Sequence, residues 1–232
     1  SLEWDGEYLK YGEWLAAPRN PDIFFNAKIV IRRTDDKLLC SYDDGNLLGL
    51  NSIHCLQSIN NDIELKYLLV LLNSKLLNWF FQHENFHMVG KPLAEVKVVF
   101  VERLPIKIID LSDQQYFIDN SNQMLLKNQE LNDIKFSFLN YIQAKFSIEG
   151  FSNNLKNWPK LESSGFLKEL KKAKVKLTLS EEAEWMQYFN EQKQKAQALK
   201  SEIDKTDREI NQMVYELYGL TEEEIGVVEG NK

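Results

Sequence analysis

AKIVIRRTDDKLLCSY, residues 27–42, is the stretch that decides the fold class of the first half of the chain. Its two ends, Ala27 to Arg33 and Lys37 to Tyr42, are short runs rich in β-branched and apolar residues. The polar residues 34–36 between them are typical of a turn. The pattern therefore predicts a β-hairpin.

The remaining elements of the first half mix strand and helix. One further strand is predicted from Leu47 to Leu56, and another from Glu95 to Val101. Between them a helix capped by Asp62 is predicted to run to about Gln82. Its apolar stripe consists of Tyr67, Leu68, Leu71, Leu72, Leu76, Trp79 and Phe80. Residues 1–110 are thus predicted to form an α+β domain.

The second half of the chain is predicted to be helical. Ser112 and Gln115 have the spacing of a capping box at the start of a helix that runs to Phe146. A second long helix is predicted from Ser180 to Gly219. Its apolar residues alternate in steps of three and four, as in a coiled coil: Phe189, Ala196, Leu199, Ile203, Ile210, Met213 and Leu217. We expect the two helices to pair antiparallel, so that residues 111–232 form a helical, partly coiled-coil domain.

Charge and hydropathy limit the classes of function. The net charge is −7, divided as −2 over residues 1–108 and −5 over residues 109–232. An acidic total argues against a histone-like DNA binder, but it permits a binder with one basic face. The longest strictly apolar run, residues 67–72, is far shorter than the roughly 20 residues that span a membrane. We therefore expect a cytoplasmic protein without membrane contact, in which Cys40 and Cys55 are reduced thiols.

Basic residues surround the predicted hairpin. Strand alternation places Lys28 and Arg32 on one face and Arg33 on the other. They are interpreted either as a DNA-binding set or as a solvated sheet edge that discourages strand pairing. The candidate DNA-binding residues are Arg19, Lys28, Arg32, Arg33, Lys37, Lys75 and Lys91, with Lys97 as a further candidate.

A second basic stretch lies in residues 155–176, which hold seven lysines against two glutamates. Gly150, Pro159 and Gly165 interrupt the helical pattern around it. This composition fits either a segment that contacts phosphate or a solvated linker.

The sequence His83-Glu84-Asn85-Phe86-His87 has the spelling of a zinc-protease motif. On a helix, His83 and His87 would lie one turn apart and Glu84 would be the base. A third ligand at the spacing of the longer pattern is missing, because position 93 is a leucine. We expect no stoichiometric zinc, and a zinc metallohydrolase is kept as an alternative.

Six segments of the chain, taken together and in order, carry a family resemblance. They are Pro18 to Phe24, Lys28 to Arg33, Leu68 to Leu76, Leu104-Pro105-Ile106, Leu111 to Gln115, and Met213 to Ile225. This series resembles the TaqI-like C-terminal specificity domain of adenine-N6 DNA methyltransferases, a family that includes fused restriction–methylation enzymes.

The resemblance implies sequence-selective binding of double-stranded DNA on behalf of an N-terminal methyltransferase domain or subunit. The sequence has neither a Gly-rich loop for S-adenosylmethionine nor an Asn-Pro-Pro-Tyr-like tetrapeptide for a flipped adenine. No catalytic residue and no cofactor are therefore assigned to this chain. Its S-adenosylmethionine is expected in the catalytic domain. A further alternative is a protein-interaction module whose heptads bind a partner, including a second copy in a helix-mediated dimer.

Overall fold

The computed structural model describes Trp14, Asn20, Gly49 and residues 22–47, 51–58 and 62–230. These residues divide into two compact units. The first unit combines the described parts of residues 1–114 and 222–232, and the second contains residues 115–221. The last helix of the chain thus belongs to the first unit, which no sequence pattern indicated.

A three-stranded antiparallel sheet forms the centre of the first unit. Strand β1 (Lys28–Arg32) lies between β2 (Cys40–Asp43) and β3 (Ile53–Leu56). Ile29 and Ile31 are buried because their alternation directs both towards the core. The predicted hairpin is therefore confirmed, although its strands are shorter than predicted and residues 33–39 connect them.

The helix predicted to run from Asp62 to Gln82 is two helices. After α1 (Asp22–Phe25), α2 (Leu65–Asn73) and α3 (Lys75–Glu84) are separated by Ser74, whose backbone is extended. The Ser74 hydroxyl caps α3 by accepting a hydrogen bond from the amide of Leu77 at 3.2 Å. The expected cap at Asp62 is wrong, because α2 begins three residues later. Of the predicted apolar stripe, Tyr67, Leu71 and Leu72 are buried, all in α2. In α3 the buried residues are Leu77 and Phe81, which the predicted stripe did not include.

The strand predicted from Glu95 to Val101 is also wrong. Its only strand-like pairing in the described structure is an isolated bridge between Glu95 and Thr34, and α4 (Val98–Val101) follows. The reason is that both edges of β1 are already occupied by β2 and β3. The bridge to Thr34 lies beyond the end of β1, and the helix that begins at Val98 ends the extended segment soon after it.

The predicted capping box does not start α5 (Leu111–Phe146), because the helix already includes Ser112. Ser112 lies inside the helix, and the buried Gln114 beside it connects two chain segments. Its amide accepts a hydrogen bond from the Glu64 amide at 2.9 Å and donates one to the Asp62 carbonyl at 2.8 Å. The start of α5 is thereby tied to the segment that precedes α2.

The second unit is built on two long antiparallel helices, α5 and α8 (Leu179–Tyr218). Lys127 donates to the Thr206 hydroxyl at 3.2 Å, whereas further along α5 the Phe138 ring lies 6.0 Å from that of Phe189. The predicted antiparallel pair is therefore confirmed. Seam positions Phe189, Ala196, Ile203, Ile210 and Met213 are buried. As predicted, Gly219 ends the helix, with a left-handed backbone at φ 72°.

The stretch of residues 155–176 is folded, so its interpretation as a solvated linker is wrong. It contains the second half of α6 (Asn153–Lys156), a 3-10 helix (Trp158–Lys160) and α7 (Ser163–Lys172). Trp158 and Phe166 are fully buried, and the Phe166 ring stacks on Phe189 at 4.5 Å. Burial of these aromatic rings stabilises the segment in a folded form, although its sequence contains helix-breaking residues and many lysines.

Glu169 of α7 is a buried carboxylate that connects two segments of the second unit by hydrogen bonds. The buried carboxylate accepts hydrogen bonds from Lys172 at 2.7 Å, from Ser152 at 2.7 Å and from Asn154 at 3.1 Å. These three donors, with Lys172 the strongest, lower the pKa of Glu169 to about 2.

No helix in the described part of the chain is long and apolar enough to cross a membrane.

Candidate nucleic-acid interface

Three loops meet at one end of the sheet, where β1 ends and β2 and β3 begin. Residues 33–37 follow β1, residues 51–52 precede β3, and residues 90–97 lie across both. The Val96 amide donates to the Arg33 carbonyl at 2.8 Å, and the Gly90 amide donates to the Asp36 carboxylate at 2.9 Å. We call these three loops the open end of the sheet.

A groove of about 390 Å³ lies in the open end, lined by Arg33, Thr34, Asn51, Ser52, Leu93 and Glu95. Thr34, Asn51 and Ser52 are exposed. Within the described residues their side chains form no hydrogen bond. Three polar side chains thus converge on the groove with their hydrogen-bonding capacity unused. Such convergence is characteristic of ligand sites.

Arg33 fastens one wall of this groove. Its Nε donates to the Glu95 carboxylate at 2.7 Å and its Nη1 donates to the Asn51 carbonyl at 3.2 Å. The hydrogen bond from Arg33, followed by its charge, lowers the pKa of Glu95. Arg33 therefore has a structural role in addition to the candidate DNA contact, although 43% of its side chain is exposed.

Several candidate cations are exposed at or beside the open end. Arg32 has a side chain that is 61% exposed and lies 3.6 Å from the Asp35 carboxylate. Lys37 and Lys91 are exposed as well. The Asp36–Gly90 hydrogen bond brings together the loops that carry them, because each lysine is the next residue along its own chain segment. Lys97 is exposed on the same segment as Lys91.

Lys28 lies at the other end of β1 and is completely buried, so it does not present a cation to DNA in this structure. Its ammonium donates to the Phe24 carbonyl at 2.7 Å and forms an ion pair with Asp43. Strand alternation does place Lys28 and Arg32 on one face, but α1 brings the Phe24 carbonyl over that face at Lys28. The candidate role of Lys28 is therefore corrected to a structural one.

Two further residues, Lys75 and Arg19, were also predicted to bind DNA. Lys75 is the first residue of α3 and forms an ion pair with Glu229, just after α9 (Glu222–Val228). Its side chain is 45% exposed but is already engaged with an acidic partner. Arg19 lies outside the described residues, and its candidate role stays a prediction.

The zinc-like motif does not lie on one helix. Helix α3 ends at Glu84, and His87 belongs to a separate 3-10 helix (Phe86–Met88). The His83 ring lies 4.0 Å from the Trp79 ring, and Glu84 pairs with Arg103 at 3.4 Å. Among the described residues, no group of three or more His, Cys, Asp or Glu is placed to hold a metal ion. The helical spacing that the zinc alternative requires is thus not formed.

Two asparagines that the sequence reasoning missed position the connection between β1 and β2. The Asn73 amide group forms two hydrogen bonds of 3.0 Å with the backbone of Cys40. Asn78 accepts from the Leu38 amide at 2.8 Å. Both asparagines lie on helices α2 and α3, so these helices satisfy the outer edge of β2 and fix the loop. Burial there raises the pKa of the Cys40 thiol to about 12.

The groove residues Thr34, Asn51, Ser52 and Leu93 were also missed. A signal was present in Asn51-Ser52, a polar pair within the strand predicted from Leu47 to Leu56. Such a pair marks a loop more readily than a strand interior. The groove itself depends on loops that are far apart in sequence, and no local pattern reveals it.

Two family models match successive parts of the chain. Residues 1–106 match the family model of the TaqI-like C-terminal specificity domain. Residues 110–214 match the model of a domain of unknown function, DUF8810. No curated protein and no solved structure matches the chain. The resemblance read from the sequence is confirmed.

Proposed function

We propose that this chain, whose residues 1–106 match the TaqI-like specificity domain, recognises a duplex DNA target for an adenine-N6 methyltransferase of a restriction–modification system. The family match is the observation that carries the proposal. The open end of the sheet supports it, because polar and cationic side chains converge there, and most of them have no partner among the described residues.

The charge distribution decides where DNA binds. A protein of net charge −7 is repelled by DNA at long range, so binding needs a local basic face. Arg32, Lys37, Lys91 and Lys97 supply that face in the first unit. DNA therefore docks on the first unit, at the open end of the sheet.

The chain acts as a non-catalytic part of the enzyme. Methyl transfer to adenine requires a pocket for the flipped base and a site for S-adenosylmethionine, which belong to the N-terminal methyltransferase domain or subunit. The complex works in the cytoplasm, where it meets its DNA. Helices α5 and α8 provide the surface through which a helix-mediated dimer would form.

A salt-series titration tests this function. The double variant Lys37→Ala/Lys91→Ala is compared with the wild type on mixed-sequence duplexes. If each lysine contacts one phosphate, the slope of log affinity against log salt falls by about two and all sequences weaken alike. The matched control is Lys160→Ala/Lys168→Ala, which removes two exposed lysines from the second unit and leaves the slope unchanged. Equal slopes for both double variants would place the DNA surface elsewhere, and no binding by the wild type would refute the function.

A further inference from the structure

We infer that the groove at the open end of the sheet reads an A·T base pair, with Asn51 contacting adenine and Leu93 contacting the methyl group of thymine. This inference rests on the proposed function and names the part of the DNA that the groove recognises. It is carried by the side chains that line the groove and by the fixed backbone beneath them.

The backbone at Asn51 and Ser52 is held by hydrogen bonds, whereas the Asn51 side chain is exposed. The Arg33 guanidinium donates to the Asn51 carbonyl at 3.2 Å, and the Arg33 amide donates to the Ser52 carbonyl at 3.0 Å. The side-chain amide is exposed, and in the described part of the chain it has no hydrogen-bond partner. Its amide oxygen can accept from the N6 amino group of adenine while its NH2 group donates to the N7 atom, both in the major groove.

Leu93 is exposed in a conformation that costs free energy. Its side chain is 84% exposed and its φ is 61°, in the left-handed region that a leucine rarely adopts. The loop is held on both sides, since the Ala94 amide donates to the Lys91 carbonyl and the Val96 amide to the Arg33 carbonyl. Strained residues of this kind persist where the surrounding structure holds them and cluster at functional sites.

The thymine methyl group is a suitable contact for this leucine. It is the one apolar group that a base pair presents in the major groove, and apolar side chains read it by contact. Leu93 and Asn51 line the same groove, so one base pair can meet both. The hydroxyls of Thr34 and Ser52 in the same groove can bond to either base.

Among the described residues, the groove offers guanine no cation that is free of other bonds. Guanine is read most often by the two-pronged contact of an arginine or lysine with its O6 and N7 atoms. Arg33 is the cationic side chain in the groove, and its guanidinium is already bonded to Glu95 and to the Asn51 carbonyl. Lys37 and Lys91, next to the Asp36–Gly90 bond, remain for the flanking phosphates.

The test is the selection of binding sites from a random duplex pool by wild type, Asn51→Ala, Leu93→Gly and Leu93→Asn. We expect the wild-type consensus to contain an A·T position at which all three variants lose discrimination by about tenfold, while the other positions persist. Glycine and asparagine both accept a positive φ, so Leu93→Gly and Leu93→Asn keep the fold, and the melting temperature verifies this. Asn46→Ala removes an exposed asparagine outside the groove and is expected to leave the consensus unchanged.

Each other outcome overturns the inference. If the groove variants select the wild-type consensus with full discrimination, the groove does not read bases, and an exposed Leu93 then belongs to a protein contact. Loss of selectivity at a G·C position instead would exclude adenine as the partner of Asn51. If the wild type binds no duplex at all, the proposed function fails and the inference with it, which separates the two failures.

Discussion

The two ends of the three-stranded sheet are each held by an ion pair, yet the pairs serve different purposes. At the closed end, which comprises Lys28, Asp43 and Gly45, the lysine is completely buried and its ammonium donates to the Phe24 carbonyl and to the Asp43 carboxylate. At the open end, Arg33 and Glu95 have side chains that are 43% and 37% exposed. The first pair is part of the core, whereas the second is the wall of a groove. Each pair joins a basic and an acidic residue, so the residue types do not reveal which pair belongs to the core. The burial of the side chains does.

Hydrogen bonding explains how the closed end accommodates its charges. Burial by itself raises the pKa of Asp43, but the hydrogen bond from Lys28 and those from the amides of Leu47 and Gly45 outweigh it, so the net pKa is lowered. Gly45 completes the end at φ 101°, where a Cβ atom would lie 2.3 Å from the Phe25 carbonyl oxygen. The backbone at Gly45 thus leaves no room for a side chain at the closed end.

The largest effect is expected from removing the buried cation. Lys28→Met leaves Asp43 nearly buried without its ammonium partner, and we expect a loss of about 3–5 kcal/mol in the free energy of unfolding. Arg33→Met is the control at the open end, where an exposed pair contributes about 0–1 kcal/mol. Urea unfolding of both variants measures the difference. Equal losses would mean that the two ends are energetically alike.

A smaller effect is expected from Gly45→Ala. The new methyl group would collide with the Phe25 carbonyl, and the positive φ adds backbone strain, so we expect a loss of about 1–3 kcal/mol. The control Gly90→Ala also has a positive φ, 70°, but open space around its Cβ position. It should cost only the strain, about 1 kcal/mol. Thermal unfolding compares them, and a larger loss for Gly90→Ala would contradict the close packing of the closed end.

The smallest effect is expected from acid. Because the pKa of Asp43 is lower in the folded than in the unfolded chain, its ionised form contributes stability above the ordinary pKa of 3.8. That contribution is lost as the pH falls through the folded value. In Lys28→Met the strongest of the bonds that lower this pKa is gone, so the stability curve should flatten over this acidic range. An unchanged curve, measured by denaturant unfolding at several pH values, would show that Asp43 does not depend on Lys28.

Local patterns predicted most of the secondary structure, including the hairpin, the long helices and the stop at Gly219. They failed where the outcome depends on segments that are distant in sequence. Lys28 reads as a surface cation until α1 brings the Phe24 carbonyl to it. The strand expected at Glu95 is prevented because β1 already has two neighbours. The basic stretch around Trp158 reads as a linker until its aromatic side chains find Phe138 and Phe189.

The site was predicted less well than the fold. Sequence reasoning found Arg32, Arg33, Lys37 and Lys91, which lie at or beside the open end, because clustered basic residues are visible in one dimension. It missed the uncharged groove residues, which carry no signal individually. Clustered charge thus indicates a region of the chain, whereas the uncharged lining of the groove becomes visible only in the structure.

The ion pair between Lys75 and Glu229 has a consequence for the order of synthesis. Its partners are 154 residues apart, so α3 is made long before the segment that packs on it. At a typical rate of about 5–20 residues per second, a ribosome needs roughly 10–30 seconds to deliver Glu229 after Lys75. During that interval, the face of α3 that carries Lys75 lacks its later partner in the nascent first unit. Slow translation of the intervening helices would prolong this vulnerable state, and release of a chain shortened before α9 would make it permanent.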